Sequence, residues 1–222
     1  MERMSKIQLL YDACNVIFSK EEDPTFQDIQ WLRNLLSTVE ANDVGIDECS
    51  CQRLMDKVGV SHMTYIHIFE CEEFSIGVFC IPAGMKFPLH DHPGMTVLTK
   101  VLYGSVHVKA YDWVERGTSN GKTVGLAGAA VDGIVQAPCE ASVLFPTSGG
   151  NIHSLTALTP AAILDVLSPP YSAELGRPST YYSEIPFLPG YTILEEREQP
   201  DDLVVYGAPY VGPQLSIEDD FY

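Results

Sequence analysis

The chain has 222 residues, 45% of them hydrophobic and 19% charged, which suits one well-filled globular domain and is short for two. Thirteen basic residues face 30 acidic ones, a formal net charge of −17, which argues against a phosphate-backbone binder whose affinity would come from Lys and Arg. An acidic field favours cationic partners, for example a peptide with a free α-ammonium group, and it also serves plain solubility.

Ile7, Leu10, Tyr11, Cys14, Ile17 and Phe18 follow the i, i+3, i+4, i+7 spacing of one apolar helix face. Asp23-Pro24 reads as an N-cap followed by proline at the first position of a second helix, whose apolar residues are Phe26, Ile29, Leu32, Leu36 and Val39. Both helices read as supports. From about Ser61 the pattern changes to short β-rich runs: Thr64–Glu70, Phe74–Ile81, Thr96–Tyr103, Ser105–Asp112, Ala141–Phe145, Ile152–Leu158 and Ala161–Leu167. The steps Gly104-Ser105 and Thr159-Pro160 read as tight hairpin turns. Between Glu115 and Pro138 the chain is rich in glycine, with a turn at Ser119-Asn120-Gly121, and a mobile excursion is expected. Beyond Tyr171 come prolines, tyrosines and acids, with Leu203–Tyr206 as a late edge strand. Many short strands predict an antiparallel sandwich or barrel. The expected organisation is a single domain over 1–222, in which residues 1–60 are helical and residues 61–222 form a barrel with a C-terminal extension.

The chain does not open on a charged-then-apolar signal segment, and no apolar run approaches the ~18 residues that span a bilayer. The six cysteines are scattered and read as reduced thiols of a cytosolic or nuclear protein. Cys49-Ser50-Cys51 has no partner pair at zinc-site spacing, so a structural role is preferred to a metal clip.

The chemistry centres on His90 and His92, in Gly84-Met-Lys-Phe-Pro-Leu-His90-Asp-His92-Pro-Gly94, and on His153, in Pro146-Thr-Ser-Gly-Gly-Asn-Ile-His153. Residues i and i+2 of a strand share a face, so a His-x-His pair aims both rings at one point, and a third imidazole completes a grip on a divalent metal. Glycine, five residues, then His-x-His opens the first cupin motif. That motif continues with a glutamate and then a glycine six residues on. Gly104 is in place, but the glutamate position falls on Val97, with Thr96 beside it. The sequence therefore looks like a cupin without its carboxylate ligand, and predicts a mainly β, double-stranded β-helix (jelly-roll) barrel with N-terminal helices. Three neutral imidazoles leave Fe(II) its full double charge, which suits an anionic thiolate, as in three-histidine thiol dioxygenases. His62, His67 and His107 rank below these three as ligands.

The runs Pro88-Leu-His-Asp-His-Pro-Gly-Met-Thr-Val-Leu98, Tyr103-Gly-Ser-Val-His-Val-Lys109 and Tyr111-Asp-Trp113 resemble the plant cysteine oxidases. So do Ser148-Gly-Gly-Asn-Ile-His153, Ala162-Ile-Leu-Asp-Val-Leu-Ser-Pro-Pro-Tyr-Ser172 and Pro209-Tyr-Val-Gly-Pro213. The resemblance implies a non-haem Fe(II) enzyme, related to the animal cysteamine dioxygenases, that uses O2 to oxidise an N-terminal cysteine to its sulfinic acid. The implied substrates are ethylene-response transcription factors, marked for degradation by the oxidation, so that the enzyme senses oxygen. The implied iron ligands are His90, His92 and His153, with thiolate and α-amine binding opposite them. The resemblance places an aspartate that orients the third ligand at Asp165 and an active-site tyrosine at Tyr171. Asp165 lies in an otherwise apolar strand, one hairpin from His153, where a lone buried carboxylate is costly; a solvated strand-end aspartate is the alternative. Tyr171 reads equally well as a core or rim tyrosine. Ser179 stands where some relatives carry a cysteine two residues before a tyrosine, so a thioether cannot form there. The implied partners are Cys-initiated proteins and O2, without nucleic acid or membrane, in a monomer of the cytosol and nucleus. The rivals are a small-thiol dioxygenase, a non-catalytic metal-binding cupin, and a zinc or manganese cupin isomerase.

Overall fold

The structure, a computed structural model, describes residues 4–20, 22–46 and 62–217; the Cys49-Ser50-Cys51 segment lies outside them. Two helices, α1 (Lys6–Phe18) and α2 (Phe26–Ser37), precede the strands. These are β1 (Met63–Glu70), β2 (Ser75–Ile81), β3 (Lys86–His90), β4 (Thr96–Tyr103), β5 (Ser105–Ser119) and β6 (Lys122–Gln136). They continue with β7 (Ser142–Leu144), β8 (Ile152–Ala157), β9 (Ala161–Ser168), β10 (Tyr181–Leu188), β11 (Tyr191–Arg197) and β12 (Val205–Ala208).

One sheet runs β12-β1-β2-β9-β4-β7, and the other curls through β10-β11-β6-β5-β8-β3 and closes where Tyr181 pairs with His90. From β2 to β5 the chain alternates between the two sheets, and it does so again from β6 to β10. This alternation makes the jelly roll. It also corrects two expectations. Gly104-Ser105 joins β4 to β5 and Thr159-Pro160 joins β8 to β9, and each step crosses between sheets instead of closing a hairpin. A run of alternating residues gives the face each side chain takes but not the sheet its strand joins.

The first sheet has two buried faces. Ile76, Val78, Leu98, Leu164 and Val166 point outward into a core shared with Ile7, Leu10 and Cys14 of α1 and Leu32 and Leu36 of α2. Thr25, not Asp23, caps α2: its hydroxyl accepts from Asp28 N while Asp28 bonds back to Thr25 N, a reciprocal box that leaves Asp23-Pro24 in the lead-in. Lys100 crosses from β4 to the other end of α2, where its buried ammonium donates to the Ser37 and Val39 carbonyls at 2.5 and 2.6 Å. A cation there satisfies the open carbonyls and complements the negative end of the helix. The alternate residues of this sheet, among them Val97, Thr99, Ile163 and Asp165, face the second sheet across an internal cavity.

The expected mobile excursion is instead a long ladder of β5 and β6, fifteen residues each, paired from Ser105↔Gln136 to Ser119↔Lys122 with register shifts at Ala110/Tyr111 and Trp113/Glu115. Asn120 and Gly121 take φ of 52° and 78°, the two left-handed residues of a tight hairpin turn. From Val124 to Gly128 β6 also pairs with β11, so there its backbone groups have partners on both sides and the weak strand preference of its glycines is overridden. The late edge strand is found at Val205–Ala208, parallel to β1. Four described cysteines, Cys14, Cys71, Cys80 and Cys139, are not joined in disulfides, and no described helix is long and apolar enough to cross a membrane.

Candidate metal centre

His90 ends β3, His153 lies opposite it on β8, and His92 follows in the loop after β3. Their ring centroids form a near-equilateral triangle: 5.0 Å between His90 and His92, 4.8 Å between His90 and His153, 4.9 Å between His92 and His153. One ligand atom from each lies within 4.8 Å of the others. His62, His67 and His107 are not among this cluster; His107 instead places Nε2 2.8 Å from Asp132 at the surface.

The hydrogen bonds fix which nitrogen of the His90 and His92 rings is free. His90 Nδ1 lies 2.8 Å from the Pro88 carbonyl, an acceptor only, so Nδ1 carries the proton and Nε2 the lone pair. Tyr171 donates its one hydrogen to the Asp91 carbonyl at 2.7 Å, so its oxygen accepts from His92 Nδ1 at 2.8 Å. That leaves His92 Nε2 buried and without a hydrogen-bond partner. His153 pairs with the backbone of Gly150. An orphaned, fully buried nitrogen is costly unless something coordinates it, and His92 Nε2, with one ligand atom each of His90 and His153 within 4.8 Å, fits a divalent metal. Burial holds all three imidazoles neutral, as ligands must be: His90 is pushed down to about 4, His153 by burial and then by His90 to about 3, and His92 well below its ordinary value.

Several side chains that carry no spacing signature hold the ligand loops. Asn151 accepts from His92 N at 3.0 Å and donates to the carbonyls of His92 and Phe145 at 2.8 and 3.0 Å, acting as a piece of strand between the two loops. Asp112 accepts from Gly150 N and Asn151 N at 3.0 Å, gripping the turn that leads to His153. Between the first two ligands, Asp91 accepts from Thr180 N and Tyr182 Oη, both at 2.9 Å, and ties the loop to β10.

The cavity in front of the triad has a volume of about 950 Å³. Val97, at the position of the missing carboxylate, is buried against Met95 and Leu144, with Leu167 and Tyr171 beside them. Tyr171 therefore lies in the site and fixes the tautomer of His92. Ser179 bonds toward the hydroxyls of both Tyr171 and Tyr181 in the cavity wall.

Asp165 faces the cavity too, but its expected pairing with His153 is replaced. It lies on the opposite sheet, where its carboxylate accepts from Thr99 Oγ1 at 2.6 Å, and His153 has the backbone of Gly150. Burial pushes Asp165 up to about 7 against the lowering effect of the Thr99 bond. The folded protein thus keeps a proton that the unfolded chain releases above pH ~4. The stability this gives is fully present below that pH and lost as pH rises through about 7. Asp165→Asn is therefore expected to raise the thermal midpoint relative to the parent at pH 8, by roughly 2–4 °C per kcal/mol relieved, and to leave it unchanged at pH 4. Midpoints that differ equally at both pH values would show that the carboxyl does not titrate in this way.

The PCO_ADO family model matches residues 35–215. The chain is 39% identical to plant cysteine oxidase 2 of Arabidopsis thaliana, covering 94% of this chain and 83% of the relative. It is 33% identical to 2-aminoethanethiol dioxygenase of Mus musculus, covering 85% of each. Among solved structures, an RmlC-like cupin from Shewanella frigidimarina is similar with a TM-score of 0.38 and 16% identity, over 51% of this chain and 82% of that one. With its three-histidine centre in a jelly-roll barrel, the chain belongs to the PCO_ADO family, the thiol dioxygenases that include the plant cysteine oxidases.

Proposed function

We propose that this protein is a dioxygenase that uses Fe(II) and O2 to convert an N-terminal cysteine to its sulfinic acid, R–SH + O2 → R–SO2H, with both oxygen atoms ending on sulfur. The observation that carries this reading is the all-nitrogen ligand set, three neutral imidazoles with Val97 in the carboxylate position. Bound iron would supply the binding of thiolate and the activation of O2. The protein's own work is positional. The Pro88 carbonyl, Tyr171 and the Gly150 backbone orient the three rings, and Val97, Leu144 and Leu167, with Met95 packed in the same cluster, keep one wall of the cavity dry.

A cavity of about 950 Å³ has room for several residues beyond a thiol. That favours a Cys-initiated protein over cysteamine or free cysteine as substrate. We infer that the substrates are ethylene-response transcription factors exposing such a cysteine, that their oxidation reports oxygen, and that the enzyme works as a monomer in cytosol and nucleus. Aerobic incubation with a Cys-Gly-Gly-initiated peptide is expected to add the mass of two oxygen atoms, the sulfinic step of cysteine oxidation. An unchanged peptide mass beside rapid oxygen uptake with cysteamine would make this a small-thiol enzyme. No change with either thiol would make it a non-catalytic cupin, and zinc or manganese in place of iron in the purified protein would overturn the metal assignment.

A further inference from the structure

Across the cavity from the histidines lies a row of polar atoms that metal binding leaves unused. Gly77, Asp165 and Thr99 are direct cross-strand neighbours on β2, β9 and β4. Gly77 leaves its side-chain slot empty, and the phenol of Tyr65 on β1 fills it: a Cβ there would fall 2.2 Å from the Tyr65 hydroxyl and 2.4 Å from Cζ. Phe79 supports the Tyr65 ring at a centroid distance of 4.8 Å. The slot beside Gly77 is the one next to Asp165, since cross-strand Cβ positions lie roughly 5 Å apart. Thr99 donates to one Asp165 oxygen, while Tyr65 feels Asp165 through its charge: burial, then Asp165 and Glu70, push its hydroxyl up to about 12. Two acceptors thus border one gap, and no lysine or arginine is among the described residues lining the cavity to neutralise the carboxylate.

We propose that Tyr65 and Asp165 form a seat for the α-ammonium group of the substrate, in place of the bond from α-amine to iron that the resemblance implies, making Tyr65 a residue that selects thiols with a free amine over des-amino or internal cysteines. This rests on the reading of the centre as an N-terminal cysteine oxidase. The ammonium donates one N–H to the second Asp165 oxygen and one to the Tyr65 oxygen, and its charge favours loss of the proton that burial otherwise keeps on Asp165.

The test uses Tyr65→Phe, which keeps the ring and removes one oxygen. Metal-loaded parent and variant are titrated without oxygen against Cys-Gly-Gly-Ala and against 3-mercaptopropionyl-Gly-Gly-Ala, which has the same thiol and no amine. The parent is expected to prefer the amine-bearing peptide by about tenfold or more, the scale of one charge-assisted hydrogen bond. Tyr65→Phe should narrow that preference several-fold, with metal content and affinity for the des-amino thiol unchanged, and Gly77→Ala, which drives the phenol from its slot, should do the same. Equal affinity of the parent for both thiols, or an undiminished preference in Tyr65→Phe, overturns the seat. Because binding is read without turnover, a protein that prefers the amine but oxidises neither thiol keeps the seat and loses the oxidase reading.

Discussion

Alanine at His153 is expected to abolish both metal retention and turnover while the protein remains folded. The reason lies in how the three rings assign their nitrogens. The non-ligating nitrogens of His90 and His92 are held by Pro88 and Tyr171, so neither ring is free to swing and compensate for a lost ligand. Outer partners of metal-bound histidines are worth roughly 10–100-fold in affinity, and removing a ligand itself exceeds that. Val97, Leu144 and Met95 offer no donor in its place. Folding should survive, because His153 is neutral and burial of an imidazole contributes no charge that the barrel relies on. Metal analysis after dialysis should find less than about a tenth of the parent's content, with activity down by at least ~10³-fold. His107→Ala is the matched control, since that ring meets Asp132 at the surface. Parent-like metal content in the His153 variant would remove this histidine from the centre.

The ligands are legible in the sequence because strand geometry turns a His-x-His spacing into a shared direction, and because a vacant glutamate position is as readable as a filled one. Helices α1 and α2 are legible from their 3.6-residue periodicity, although the box between Thr25 and Asp28, not the Asp23-Pro24 pair, decides where α2 begins. What resists reading is pairing across the fold. Asp165 and His153 are separated by a short connection that looks like a hairpin, yet that connection changes sheets, and the residues that meet Asp165 come from β4 and β2. Tyr65 escapes notice for the same reason, since its role depends on an empty slot at Gly77 on the neighbouring strand. The glycine-rich stretch from Glu115 to Pro138 misleads because local preference points to a loop, while β5 pairs along β6 and β11 adds a second partner from Val124 to Gly128. Asn120-Gly121 carries the contrary signal, a tight turn that fixes the register of everything after it.

Asn151→Ala is expected to cost about 3–5 kcal/mol of folding stability and to weaken metal binding, although this side chain touches no ligand nitrogen. Its amide meets three backbone groups, the N–H and carbonyl of His92 and the carbonyl of Phe145. Each such group costs about 1–3 kcal/mol when buried without a partner, and Asn151 itself is buried, so water does not readily replace it. Asn151→Asp separates this bridging role from simple loss of volume. An aspartate keeps the acceptor for His92 N but turns both donated bonds into oxygen facing oxygen, at 2.8 and 3.0 Å in the parent. The isosteric aspartate should therefore destabilise at least as much as alanine at neutral pH, and recover some of the loss in acid, where a protonated carboxyl regains one donor. Urea unfolding of the metal-free proteins at pH 5 and pH 8 reads this directly, and metal titration reads the effect on the centre. An aspartate variant as stable as the parent at pH 8 would show that the bridge between the His92 loop and Phe145 is not what keeps the ligands in place.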